Sequence, residues 1–294
     1  MSYIGHERFS LMTRLVTFIL FLCFALMASA APKAELIEFW DDREPTSIMQ
    51  INHDAWQEIL TTYVNDQHPS GINRFDYLSV TSADARKLKE YLASLQSMEP
   101  RQLNDQEAKA YWINMFNAVL IDRIIDTYQS GSRRGIRRLE RGGLRSTGWG
   151  RPVVEVAMQE ISLNDIEHGI IRPIWNDPRI HFAISASTLS GANIQKTAFN
   201  GENNEELLDK AQAEFFAHPK SVSVRGNRVV LNSVFDWYLT DFAENKRSLL
   251  DYIRENVGEE TRQAIQGLSR ISYEYNWRLN TPDAVLEDDE DDDE

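Results

Sequence analysis

Cysteine is almost absent: the 294-residue chain has one, Cys23. A single thiol excludes an intramolecular disulfide framework and any cysteine-rich metal or iron–sulfur site. Positive charge is scarce too, with 31 Lys and Arg against 45 Asp and Glu and a net charge of −14. Tracking a nucleic-acid backbone needs a positive surface, so no nucleic-acid partner is expected. Apolar runs of membrane-spanning length are missing. The run Leu15–Met27 has 13 residues, short of the ~20 that cross a bilayer. Also missing are the G-x-S-x-G, S-x-x-K, H-E-x-x-H and G-x-x-x-x-G-K patterns, which removes the familiar serine-hydrolase, zinc-protease and P-loop signatures. What is present suffices for a core: 42% apolar and 10% aromatic residues exclude wholesale disorder.

Arg8 and Arg14 precede Leu15–Met27, and Ala28-Ser29-Ala30 follows it. A charged stretch, an apolar run and a small-x-small site form the pattern of a secretory signal peptide. Residues 1–30 are therefore read as a cleaved leader, with an uncleaved amino-terminal anchor as the alternative. The expected mature chain is periplasmic or secreted, free of cysteine and without a transmembrane segment. At the other end, Asp283 and Glu287–Glu294 place nine acids in the last twelve positions, and 283–294 reads as a solvated, disordered tail. Residues 34–280 show no Pro/Gly/Ser linker and no internal repeat, and read as one domain.

Apolar spacing predicts helices over Ser47–Val64, Ala83–Ser97, Asn104–Tyr128, Leu163–Arg172, Glu205–Ala217, Val234–Phe242 and Arg247–Asn256. Asn104, Ser162 and Ser233 each precede an acid by three residues, the spacing of a capped first turn. Alternation predicts strands at Val153–Met158 and Ile180–Ser185. A hairpin is expected from Ser221–Arg225 and Arg228–Leu231 across Gly226-Asn227. The fold class that follows is α+β, mostly helical with a small antiparallel sheet.

Polar residues on apolar faces mark the candidate site. On the Asn104–Tyr128 helix, at about 100° per residue, Asn117 falls inside the apolar face and Asn114 on its edge. A buried amide needs partners, so each one either binds a ligand or ties a neighbouring loop's backbone. In the Leu163–Arg172 helix, Glu167 borders the apolar stripe, the placement of a paired carboxylate or a tuned general acid or base. Asp165, His168 and Arg172 share another face, which also fits a surface ion-pair stripe. In the expected strand Ile180–Ser185, His181 shares its face with Ala183 and Ser185, leaving room for an approaching group. Glu167, His168 and His181 are zinc-type donors, but two histidines 13 residues apart are weak ligand spacing; no metal and no cofactor is expected. Arginines 133, 134, 137, 138, 141, 145 and 151 alternate with glycines, reading as a loop with at most a short helix. It suits an anionic partner, the chain's own acidic tail, or no partner at all.

The strings Ala110-Tyr-Trp-Ile-Asn-Met-Phe-Asn-Ala118, Ile161-Ser-Leu-Asn-Asp-Ile-Glu-His168 and Asp177-Pro-Arg-Ile-His-Phe-Ala183 resemble the bacterial domain-of-unknown-function family 547. So do Val234-Phe-Asp-Trp-Tyr238 and Tyr275-Asn-Trp-Arg-Leu-Asn280. The resemblance places Asn114, Asn117, Glu167, His168 and His181 on recurrent motif positions. It also implies that relatives carry two cysteines where this chain has Ala186 and Gly191, so thiol chemistry of such relatives is closed to it. Two functions are then expected. One is binding of a small molecule or an envelope protein through a polar pocket that includes Asn114, Asn117, Ser185, Ser187 and Ser190. The other is hydrolysis or acyl transfer, with Glu167, His168 or His181 as acid–base and Ser187, Thr188 or Ser190 in place of the thiol.

Overall fold

The longest helix, Asp105–Gln129, is apolar on every side over most of its length, and every residue from Glu107 to Ile121 is buried. The computed structural model describes residues 32–140 and 148–284. The helices and strands of the described residues all belong to the unit Lys33–Glu294. The expected leader lies outside the described residues, as do positions 285–294 of the expected tail. Of the arginine-rich stretch, 133–140 is a helix, Arg133–Glu140, and Arg141 and Arg145 lie outside the described residues.

A helix hydrophobic all round must be covered all round. Helices Ser82–Gln96 and Asn204–Ala217 and the segment Asp165–Ile171 pack against Asp105–Gln129, so the single apolar face expected from the sequence is in fact a full sheath. Its polar exceptions anchor loops. Glu107 Oε1 accepts from Ile51 N at 2.7 Å and Oε2 from Gly201 N at 2.8 Å. Asn104 caps the helix, its side chain accepting from Glu107 N. Ser162 and Asp165 also cap reciprocally, with Ser162 N donating to Asp165 Oδ2 at 2.8 Å and Asp165 N to Ser162 Oγ at 3.1 Å. At Ser233 the hydroxyl makes no cap; its backbone carbonyl accepts from Asp236 N instead.

Asp165–Ile171 is a π-helix that runs on into the α-turn Arg172–Trp175. The wider spiral leaves carbonyls for outside donors: Glu35 N reaches His168 O and Ile37 N reaches Gly169 O, both at 2.9 Å. Gly169 permits this, since a Cβ there would sit 2.4 Å from Ile37 Cδ1.

Among the described residues, two antiparallel hairpins and one mixed sheet accompany the helices. Val222–Arg225 pairs antiparallel with Arg228–Asn232, and Arg270–Glu274 joins the latter in parallel. Gly226, at φ +61, takes the first position of the tight turn, as a II′ turn requires. Pro152–Val156 pairs with Gln159–Ser162, and two short strands, Val64–Asn65 and Arg74–Phe75, pair with one another. The expected helix Val234–Phe242 breaks at Tyr238 into Val234–Trp237 and Leu239–Phe242.

The strand expected at Ile180–Ser185 is instead a helical turn, Ile180–Ala183. Asp177 and Pro178 start it: the Asp177 side chain accepts from Arg179 N at 2.9 Å, and its carbonyl accepts from Ile180 N at 3.1 Å. A capping acid followed by proline is a helix-start signal, and it outweighs an alternation only six residues long. The turn lies between two apolar clusters. Ile180 and Ala183 belong to the one around Asp105–Gln129. Phe182 belongs to the other, with Phe215, Phe216, Phe235 and Phe242.

Candidate functional site

Between these clusters, four short elements deliver ionisable side chains to one place. Glu167 and His168 come from the π-helix, Arg172 from the turn after it, His181 from Ile180–Ala183, Tyr238 from the break after Val234–Trp237, and Asp241 from the turn Leu239–Phe242 that follows it. Glu167, His168, Arg172 and His181 are each 3–6% exposed. The surface ion-pair stripe expected for His168 and Arg172 is therefore absent. The reason is local: a π-helix does not advance at the α-helical 100° per residue, so the helical wheel misplaces both.

Asp241 is the hub. Arg172 grips it with two hydrogen bonds, Nε to Oδ2 at 2.7 Å and Nη2 to Oδ1 at 3.0 Å. His181 Nε2 lies 2.7 Å from the same Oδ2. Burial pushes the Asp241 carboxyl up, but the hydrogen bonds and charges of His181 and Arg172 outweigh it and hold it well below the usual carboxylate range. An ionised carboxylate only accepts, so His181 donates from Nε2 and, when neutral, has its lone pair on Nδ1. Arg172 Nη1 lies 2.9 Å from His168 Nδ1. A guanidinium only donates, so His168 Nδ1 accepts and the proton sits on Nε2, 3.8 Å from Glu167 Oε2. Burial lowers the His168 pKa; Glu167 opposes this, and the charges of Arg172 and His181 add to it. Tyr238 stacks on His181 with ring centroids 4.2 Å apart and receives the Arg172 guanidinium 4.6 Å above its own ring. Burial raises the Tyr238 phenol well above its ordinary value, and the charge and hydrogen bond of Glu167 add to the rise.

Asn114 and Asn117, expected to bind or to tie loops, tie loops. Asn114 Nδ2 donates to Phe199 O at 2.7 Å and its Oδ1 accepts from Phe199 N at 3.2 Å. Asn117 Nδ2 donates to Ala183 O at 3.0 Å and its Oδ1 accepts from Ser185 N at 2.8 Å. The second clamp fixes the end of the turn that carries His181.

The hydroxyls of the following loop are committed to the backbone or to tyrosines. Ser185 Oγ donates to Ala192 O at 2.9 Å and accepts from Ser187 N at 3.2 Å. Ser190 Oγ accepts from Asn276 N at 2.8 Å. Thr188 Oγ1 meets Tyr275 Oη at 2.8 Å, and the Ser187 side chain bonds to Tyr77. Ser187 holds a left-handed φ of 56°, and its carbonyl accepts from Asn280 N. Neither Ser187 nor Ser190 hydrogen-bonds to His168 or His181 among the described residues. A Cβ on Gly191 would stand 3.4 Å from that of Ala186 and 2.9 Å from Thr188 Oγ1, so the two positions are near disulfide spacing but a side chain at 191 requires Thr188 to shift.

Asp241 and the role of Tyr238 went unread in the sequence. Asp241 has no local oddity to expose it, sitting three residues after Tyr238 in a segment read as an ordinary amphipathic helix. Among the described residues, no group of three or more His, Cys, Asp or Glu side chains is arranged to hold a metal ion, and no helix is long and apolar enough to cross a membrane. No curated protein and no solved structure matches the chain. A family model does match, over residues 100–216. That stretch carries Asn114, Asn117, Glu167, His168, Arg172 and His181, while Tyr238 and Asp241 lie beyond it. That model is of the family described as "Protein of unknown function, DUF547".

Proposed function

We propose that the chain is an exported envelope protein that binds a polar small molecule or a protein partner at the network of Glu167, His168, Arg172, His181, Tyr238 and Asp241. One observation carries the binding reading. Each imidazole has one nitrogen tied to a charged side chain, leaving His168 Nε2–H as a donor and His181 Nδ1, an acceptor in the neutral ring and a donor in the protonated one, with no hydrogen-bond partner among the described residues. Two oriented ring nitrogens beside the Tyr238 ring suit recognition of a polar ligand. Export rests on the pattern of Arg8, Arg14, Leu15–Met27 and Ala28-Ser29-Ala30.

The test is to recover the tagged full-length protein from the envelope fraction and identify its co-purifying small molecules and proteins by mass spectrometry. Glu167→Gln and His181→Ala, checked for folding by circular dichroism, are handled alongside. A species retained by the wild type and lost from both variants is expected. The same set on all three overturns the binding reading, and recovery only from the cytoplasm overturns export.

The Asp241–His181 pair favours a second reading, a general base oriented by a carboxylate. It lacks the nucleophile that the sequence suggested, since the candidate hydroxyls hold backbone groups and phenols. As a catalyst the pair would have to activate water or a group on the substrate. A fall in turnover in Asp241→Asn larger than its fall in ligand affinity would distinguish it.

A further inference from the structure

A second cluster uses none of those side chains. It lies where the segment Ser70–Asn73 and the start of the strand Arg74–Phe75 meet the loop Gly191–Asn193 and Lys220. Arg74 is 1% exposed. Its Nη2 reaches Ser70 Oγ at 3.1 Å, whereas Nε and Nη1 are buried with no hydrogen-bond partner. No carboxylate pairs with it among the described residues, and burial alone acts on its charge, lowering its pKa. A buried guanidinium without a counter-charge, with orphaned N–H groups, is costly, and proteins offset that cost with an anion.

The surroundings add positive charge. Lys220 Nζ donates to Gly191 O at 2.7 Å and to Asn193 Oδ1 at 3.1 Å, leaving one ammonium proton uncommitted. Burial and the Arg74 charge bring Lys220 down to about 7 against the pull of Glu214. Glu214 is itself held by Gln195 Nε2 at 3.0 Å and Lys210 Nζ at 3.6 Å. His218 is fixed by two backbone groups, Ser70 O at 2.7 Å and Lys220 N at 2.9 Å. Those bonds give His218 one donating and one accepting nitrogen and keep it uncharged. His68, Ser70 and Lys220 are half-buried and Gly71 is exposed, so solvent reaches the rim of the cluster.

We propose that this cluster is a binding site for a phosphate-type oxyanion, free or as a monoester, held by Arg74 Nε and Nη1 and Lys220 Nζ. Arg74, joined by Lys220 once an arriving anion holds it protonated, matches the charge that phosphate approaches at neutral pH. The planar guanidinium fork is the side chain suited to gripping two of its oxygens.

Equilibrium dialysis of the full-length chain against labelled inorganic phosphate, and separately against glycerol phosphate, at constant ionic strength tests the site. Saturable uptake of one equivalent of at least one probe is expected, with affinity at least about tenfold weaker in Arg74→Met and in Lys220→Met. Uptake of phosphate alone identifies a free ion, and uptake of the ester alone identifies a phosphorylated ligand. No saturable uptake of either, or uptake undiminished in the variants, overturns the proposal. If Arg74→Met does not fold, Lys220→Met decides alone.

Discussion

Asp241 joins a base, a guanidinium and two helical turns, so its removal should cost more than a surface acid would. Asp241→Asn keeps the shape of the side chain but leaves Arg172 buried without the carboxylate that grips it. Breaking a buried pair from one side typically costs ~3–5 kcal/mol; a fall of that order in urea stability is expected, and a change below about 1 kcal/mol counts against the hub role. The sequence singled out His168 and His181 because a histidine among apolar residues is conspicuous at any window length. It did not single out Asp241, whose meaning depends on partners 69 and 60 residues away. Ser185, Ser187 and Ser190 looked like replacements for a thiol, but in a loop with few regular hydrogen bonds hydroxyls serve the backbone first. Positions 186 and 191 permit a separate check. Ala186→Cys/Gly191→Cys should form an intramolecular disulfide on oxidation, read as loss of titratable thiol. Two free thiols under oxidising conditions would show that Thr188, whose Oγ1 would lie 2.9 Å from a Cβ at 191, does not give way.

Long, capped elements were legible and short ones were not. Asn104 and its acid three residues on mark the start of Asp105–Gln129, and Gly226-Asn227 marks a hairpin. Ile180–Ala183 is four residues long, too short for periodicity to separate a helical turn from a strand. The strand Gln159–Ser162 was missed for a different reason: its turn is Ala157-Met158, both at positive φ, 48° and 62°, with no residue that favours that geometry. The turn stores strain that Asn-Gly would relieve. Ala157→Asn/Met158→Gly should therefore stabilise the fold by about 1–2 kcal/mol, measured as a raised urea midpoint with unchanged slope. A lowered midpoint would mean that Met158, 88% exposed, has contacts in solution that offset the strain.

The molecule as a whole should be sensitive to acid well above the carboxylate range. His53 is buried, its Nδ1 hydrogen-bonded to Tyr91 Oη at 2.8 Å, and burial lowers its pKa to about 4 against the opposing charge of Asp54. The unfolded chain takes up this proton near pH 6.5, whereas the native state takes it up only near 4. Stability is thus full above pH 6.5 and declines between 6.5 and 4, by about 3 kcal/mol for this group. His168 and His218, also lowered by burial, steepen the same window. Urea titrations at about pH 7 and about pH 5 should show the loss, and His53→Phe should flatten it; an equal slope in the variant would assign the effect elsewhere. Redox conditions present the opposite case. From Lys33 onward there is no cysteine, and the turn at 185–191 is shaped by the hydroxyls of Ser185, Thr188 and Ser190. A sulfur bridge across so short a loop would add little chain entropy; its main effect would be to make the loop's shape depend on the electron supply of the compartment. Held by hydroxyls, this loop keeps one conformation in oxidant and reductant alike, so whatever binds beside it binds independently of redox poise.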